Sequence, residues 1–106
     1  MKRGEIWTLR DKNYASKAWP VVIIQDDSHS NFDSVILCLF TTYESAEIET
    51  RVFVEPSVQN GLHKSSYIMT DKIVTVDKSL LKERVGCLSD DNMKSVSRQL
   101  KIILGL

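Results

Sequence analysis

The chain has 106 residues with 14 basic and 14 acidic side chains, which is enough for one domain with one core and too few for two. The balanced charge rules out arguing a nucleic-acid partner from net charge, so any basic surface has to be local. No apolar run reaches the roughly 18 residues a membrane span requires, and Met1–Glu5 leads into a strand pattern with no visible leader, so a single cytoplasmic domain over 1–106 is expected.

Glu5–Leu9 alternates polar and apolar residues and predicts a first strand. Arg10–Ala18 is polar and reads as a loop. Pro20 has no N–H to donate and is expected to open a strand rather than sit inside one. Val21–Ile24 is a β-branched run that predicts a strand buried on both faces. Asp26–Asp33 is turn-forming, and Ser34–Phe40 is a further buried strand ending in Thr41-Thr42. Tyr43–Glu49 reads as a loop, Arg51–Val54 as a short strand closed by Pro56, and Ser57–Ser66 as a turn segment centred on Asn60-Gly61.

Tyr67–Met69 and Ile73–Val76 are two short strands on either side of Asp71-Lys72, so a carboxylate and an ammonium sit together on a strand edge. Strand alternation predicts that they point to opposite faces. Ser79–Glu83 fits one helical turn and Arg84–Leu88 a last strand. Ser89 is placed as a helix N-cap with Asp90 and Asp91 in the first turn. Met93, Val96, Leu100, Ile103 and Leu104 then form an apolar stripe. Ile102 widens this stripe beyond one core-facing side, which predicts a homodimer contact. Cys38 and Cys87 sit in apolar surroundings and read as free thiols, with a disulfide between them as the alternative. His29 and His63 stand alone, and no Cys or His spacing fits a metal site. The sum is mainly β: five to seven short strands and a C-terminal helix, arranged as a small bent barrel or two packed sheets.

Several of these segments together carry a family resemblance: Arg3-Gly4-Glu5-Ile6-Trp7, Pro20-Val21-Val22-Ile23-Ile24-Gln25, Leu39-Phe40-Thr41-Thr42, Glu55-Pro56, Asn60-Gly61-Leu62, and Met69 to Val76. In this order and spacing the chain resembles the MazF/PemK toxins of bacterial toxin–antitoxin pairs over nearly its full length. The resemblance implies an SH3-like β-barrel of the CcdB/PemK type, a homodimer and an antitoxin partner. It also implies cofactor-free, metal-independent cleavage of single-stranded RNA. Such cleavage uses the RNA's 2′-OH as nucleophile, and leaves a 2′,3′-cyclic phosphate and a 5′-OH. It requires a base, a donor to the phosphate and an acid for the leaving oxygen.

The family's threonine matches Thr41 and its aspartate matches Asp71, which makes these the expected catalytic residues. Its arginine before the second-strand proline is replaced by Trp19, and an assisting arginine two positions before the aspartate is replaced by Met69. Lys17, Lys64 and Lys72 are the candidate replacement cations. Trp19 and Tyr14 are candidates for stacking on unpaired bases, and Gln25 and Thr42 complete the expected substrate-binding set. Against these stand plainer readings: a strand-end threonine is commonly a turn hydrogen-bonder, and an Asp-Lys pair is commonly a solvated surface pair. Two alternatives remain. One is a family member that binds RNA or antitoxin without cutting. The other is a CcdB-like gyrase poison, which is disfavoured because the C-terminus lacks the tryptophan that such an activity resembles.

Overall fold

A computed structural model describes residues 1–11, 15–29, 31–43 and 47–106, with backbone alone for 15–17. Six strands form one antiparallel sheet. They are β1 (Glu5–Asp11), β2 (Ala15–Ile23), β3 (Ser34–Thr41), β4 (Val52–Val54), β5 (Ser66–Asp77) and β6 (Leu81–Cys87), and a C-terminal helix α1 (Asp90–Leu104) follows. The sheet order is β4-β5-β3-β2-β1-β6. The sheet curls into a half-barrel, so the mainly-β expectation with one closing helix holds, and no second sheet forms among the described residues.

The sheet is buried on both faces because successive residues of β2 and β3 are apolar and point to opposite sides. Val21, Val22 and Ile23 have no exposed surface. Val22, Cys38, Phe40, Ile68 and the helix residues Val96 and Leu100 build one core. Val21, Ile23, Leu37, Val76 and Leu81 build the other. Met93, Val96 and Leu100 of the α1 stripe cover the first core, whereas Ile103 and Leu104, expected in the same stripe, are exposed. The Ser89 cap accepts a hydrogen bond from the Asn92 N–H, as the sequence predicts.

Three local expectations are corrected. β2 begins at Ala15, inside the stretch read as a loop; pairing with β1 from Asp11↔Ala15 onward overrides its polar composition. Pro20 therefore lies within a strand, opposite Thr8. Lys82 and Glu83 belong to β6, and the helical turn is instead a 3₁₀ turn at Lys78–Leu80.

β5 runs unbroken through both predicted short strands but carries a bulge. Leu39 pairs with Met69, whereas its neighbour Cys38 pairs with Ile73. Thr70, Asp71 and Lys72 are thus surplus to the ladder, and strand alternation lapses there. Asp71 and Lys72 are both exposed at this bulge.

The Asn60-Gly61 turn folds back against β6. The Asn60 side chain accepts from the Ser57 and Leu62 N–H groups and donates to the Glu55 carbonyl. A Cβ on Gly86 would stand 2.4 Å from the Gln59 carbonyl oxygen, so only glycine permits this approach. At the N-terminus, Arg3 donates to the Ile24 carbonyl and the Ser97 hydroxyl, tying the first turn to α1.

Candidate nucleic-acid interface

Register places a row of side chains across one face of the sheet. Thr41 pairs with Tyr67, and Tyr67 pairs with Phe53. Directly paired residues share a face, and the Tyr67 and Phe53 rings are in contact at 5.2 Å between centroids. On the other side Val21 pairs with Leu39, and continuing that register brings Trp19 opposite Thr41. The row therefore reads Trp19, Thr41, Tyr67, Phe53, with the outer aromatics 38% and 47% exposed.

Trp19 is fixed by its indole N–H, which donates to the Phe40 carbonyl at 2.8 Å. The ring thus presents a surface without being free to swing. The Thr41 hydroxyl oxygen accepts from the Tyr43 N–H at 3.1 Å, the turn bond common for such a threonine. That bond occupies an oxygen lone pair and leaves the hydroxyl proton able to donate.

Beside the row lies a notch of about 470 Å³ lined by Trp19, Thr42, His63, Lys64, Ser66 and Glu83, among others. It brings together three residues expected from sequence, Trp19, Thr42 and Lys64, and adds His63 and Glu83. The buried Asn60 and the Gly61 turn set its far wall, because they fix where the 61–66 segment leaves β6.

Asp71 lies further along β5, on the bulge, and its partner is Arg51. Arg51 Nε and Nη2 donate to the two carboxylate oxygens at 3.1 and 3.2 Å. Arg51 directly precedes β4, and the β4–β5 register extended by one residue sets it opposite Met69. The bond from the Thr70 hydroxyl to the Thr50 carbonyl supports that alignment. The guanidinium bond holds the Asp71 carboxyl below the ordinary aspartate range, against an opposing push from burial, with Lys72 adding a smaller downward pull.

Sequence reasoning missed this pair. A signal existed: the register is symmetric about Asn60, so folding the chain back at the Asn60-Gly61 turn sets 51 beside 69.

The remaining candidates separate. The Gln25 side chain accepts from the Ile36 N–H and donates to the His29 carbonyl, and it lines an apolar groove with Phe32, Ile36, Ile73 and Leu104 rather than the notch. Tyr14 and the Lys17 side chain lie outside the described residues. Among the described residues no three His, Cys, Asp or Glu side chains converge, and no helix is long and apolar enough to cross a membrane. Cys38 and Cys87 are free.

Comparison with known proteins adds independent observations. The family described as PemK-like, MazF-like toxin of type II toxin-antitoxin system matches residues 2–104. The chain is 38% identical to a probable endoribonuclease MazF of Mycolicibacterium smegmatis, covering 100% of this chain and 98% of the relative. It is 39% identical to an endoribonuclease MazF of Staphylococcus saprophyticus over 82% of this chain and 73% of that protein. Among solved structures, a mycobacterial endoribonuclease in complex with its cognate antitoxin superposes with a TM-score of 0.85 at 25% identity, over 100% of this chain and 96% of that one. A Deinococcus radiodurans MazF from a MazE–MazF crystal shares the fold at a TM-score of 0.81 and 16% identity, over 100% of this chain and 96% of that one.

Proposed function

The chain belongs to the PemK-like, MazF-like toxins of type II toxin–antitoxin systems, and we propose that it is an endoribonuclease that cuts single-stranded RNA through the RNA's own 2′-OH. The observation that carries this reading is the row Trp19, Thr41, Tyr67, Phe53. A hydroxyl donor stands between exposed aromatic rings on one rigid sheet face. Aromatic faces hold unpaired bases by stacking, and a hydroxyl between them lies where the intervening phosphate passes.

In the reaction the 2′ oxygen forms a bond to phosphorus as its proton leaves to a base. The bond from phosphorus to the 5′ oxygen then breaks, and that oxygen takes up a proton. The products are a 2′,3′-cyclic phosphate and a 5′-OH. Thr41 donates to a nonbridging oxygen as charge builds on the phosphorane. Because the nucleophile is tethered to the substrate, alignment supplies much of the acceleration. His63 in the notch brings an imidazole, able to donate or accept a hydrogen bond, within the same wall as Lys64. Asp71, held by Arg51 and shifted toward its ionised form, is a weak proton acceptor and better suited to orienting a cation.

The family's named relatives include a structure with a cognate antitoxin, and an antitoxin partner is proposed here on that basis. A homodimer is proposed through the apolar groove that Phe32, Ile36, Leu104 and Leu106 line beside α1. Surplus exposed apolar surface of this kind is a common mark of an interface.

The test is incubation of purified protein with a broad pool of single-stranded RNA in EDTA, with end analysis of the fragments. Discrete cuts bearing cyclic phosphate ends are expected, and Thr41→Val should slow cutting by about 100-fold, the scale of losing one transition-state donor. Absence of cutting across the pool removes the reading. A binding protein without cleavage is the second reading. It is favoured by one observation: Trp19, fixed to Phe40, holds the position where the family resemblance places an arginine. Cleavage by the unaltered chain excludes it.

A further inference from the structure

A phosphodiester is gripped best by a planar cation with several donors, and only arginine supplies that shape. Arg51 lies on the Thr41 face, opposite Met69 and two residues from Phe53. Two strand spacings and two residues of rise put its Cα roughly 12 Å from that of Thr41.

The guanidinium is held rather than loose. Nε and Nη2 are both engaged by Asp71, and the Arg51 side chain is 12% exposed against 29% for Asp71. The Nη1 edge makes no bond among the described residues. No buried side-chain nitrogen or oxygen lacks a partner there, so this edge faces solvent. A partly exposed ion pair adds modestly to stability, and a guanidinium oriented in advance loses little freedom on meeting a ligand. An Arg–Asp pair alone is neutral. Lys72, exposed on the same bulge, brings the cluster to a net positive charge.

We propose that Arg51 binds a phosphate of single-stranded RNA next to the one at Thr41, and that Asp71 is the positioning residue that aims it. This rests on the RNA-cutting reading above and names the cation which that reading lacks at positions 19 and 69. Arg51 offers its Nη1 edge to the phosphate oxygens while Asp71 keeps the other edge, so the fork does not rotate between turnovers.

The test uses a fully 2′-O-methylated oligonucleotide, which binds but offers no 2′-OH to attack. Its affinity is measured against sodium chloride concentration for the unaltered protein and for Arg51→Gln. Loss of one phosphate contact should flatten the slope of log affinity against log salt by about 0.7. Arg51→Lys should restore the slope. Asp71→Asn should keep it while slowing RNA cutting about tenfold, since charge remains and aim is lost. An unchanged slope in folded Arg51→Gln overturns the proposal, as does failure of the unaltered protein to bind at about 50 mM salt.

If Arg51→Gln does not fold, phenylglyoxal labelling of the unaltered protein decides. The oligonucleotide should slow labelling of Arg51, read by mass spectrometry, and equal rates with and without it overturn the proposal. Binding is read here separately from cutting. A protein that binds through Arg51 but never cuts sinks the endoribonuclease reading alone, and one that cuts with an unchanged slope sinks only this proposal.

Discussion

The indole N–H of Trp19 donates to the Phe40 carbonyl in the place where a backbone amide is missing. The Ile24 N–H donates to the Ile36 carbonyl. Stepping back along this antiparallel pair two residues at a time, the donor due at Phe40 is residue 20. Residue 20 is a proline and has none. The neighbouring side chain fills the gap at 2.8 Å. Trp19→Phe should therefore cost about 1–2 kcal/mol, the loss from a carbonyl stripped of its donor. In a Pro20→Ala background the same change should cost less, because alanine supplies the amide. Urea unfolding of the four proteins in this cycle measures the difference.

Gly86→Ala should destabilise the fold by about 3 kcal/mol, the upper part of the usual overpacking range. The added methyl would meet the Gln59 carbonyl at 2.4 Å and the Asn60 carbonyl oxygen at 2.7 Å, both of them backbone that cannot step aside. The 57–62 turn would have to lift from β6, which would also open the far wall of the notch. The midpoint of thermal or urea unfolding reads the effect.

The Arg51–Asp71 pair makes stability depend on acid. Asp71 has its carboxyl lowered below the ordinary 3.8, chiefly by the Arg51 hydrogen bond. A depressed carboxylate adds stability that is present above its unfolded value and is lost as pH falls through the folded one. Asp71→Asn should therefore melt below the unaltered protein at pH 6 to 7. The gap should begin to narrow once the pH drops beneath the ordinary aspartate value and should close as it falls through the lower folded one. A gap that persists unchanged in acid would mean that the carboxylate's charge contributes nothing.

The two thiols should behave differently. Burial raises the Cys38 thiol to about 12, and the residue has no exposed surface. Thiolate is the reactive form, so iodoacetamide at pH 8 should modify the partly exposed Cys87 in the native protein and leave Cys38 unmodified. Mass spectrometry after a timed exposure distinguishes them, and in denaturant both should react.

Much of the fold is written locally. The Ser89 cap, the first half of the α1 stripe from Met93 to Leu100 and most of the buried β-branched run at 21–24 follow from residue type and period alone, while Ile103 and Leu104 of the stripe lie exposed. The start of β2 is not legible, because residues 15–18 are polar and become strand through pairing with β1. At the site, the β2–β3 register, extended by two residues, sets Trp19 opposite Thr41, and Trp19, Thr42 and Lys64 share the notch. Gln25 does not join them, because its amide is taken up between Ile36 and His29. The Arg51–Asp71 contact spans 20 positions and depends on hairpin register, which residue-by-residue pattern does not encode.

The bulge at 70–72 also inverts the phase of β5. Before it, Ile68 points into the core beneath α1; after it, Val76 points into the opposite core, although both positions are even. One strand thereby serves two hydrophobic layers, and Asp71 and Lys72 sit at the crossing, where β5 belongs to neither. Side chains there can be exchanged with little disturbance to either layer, whereas gaining or losing a single residue would turn one half of the strand inside out. The surface chemistry of this face is thus free to vary by substitution and closed to variation by length.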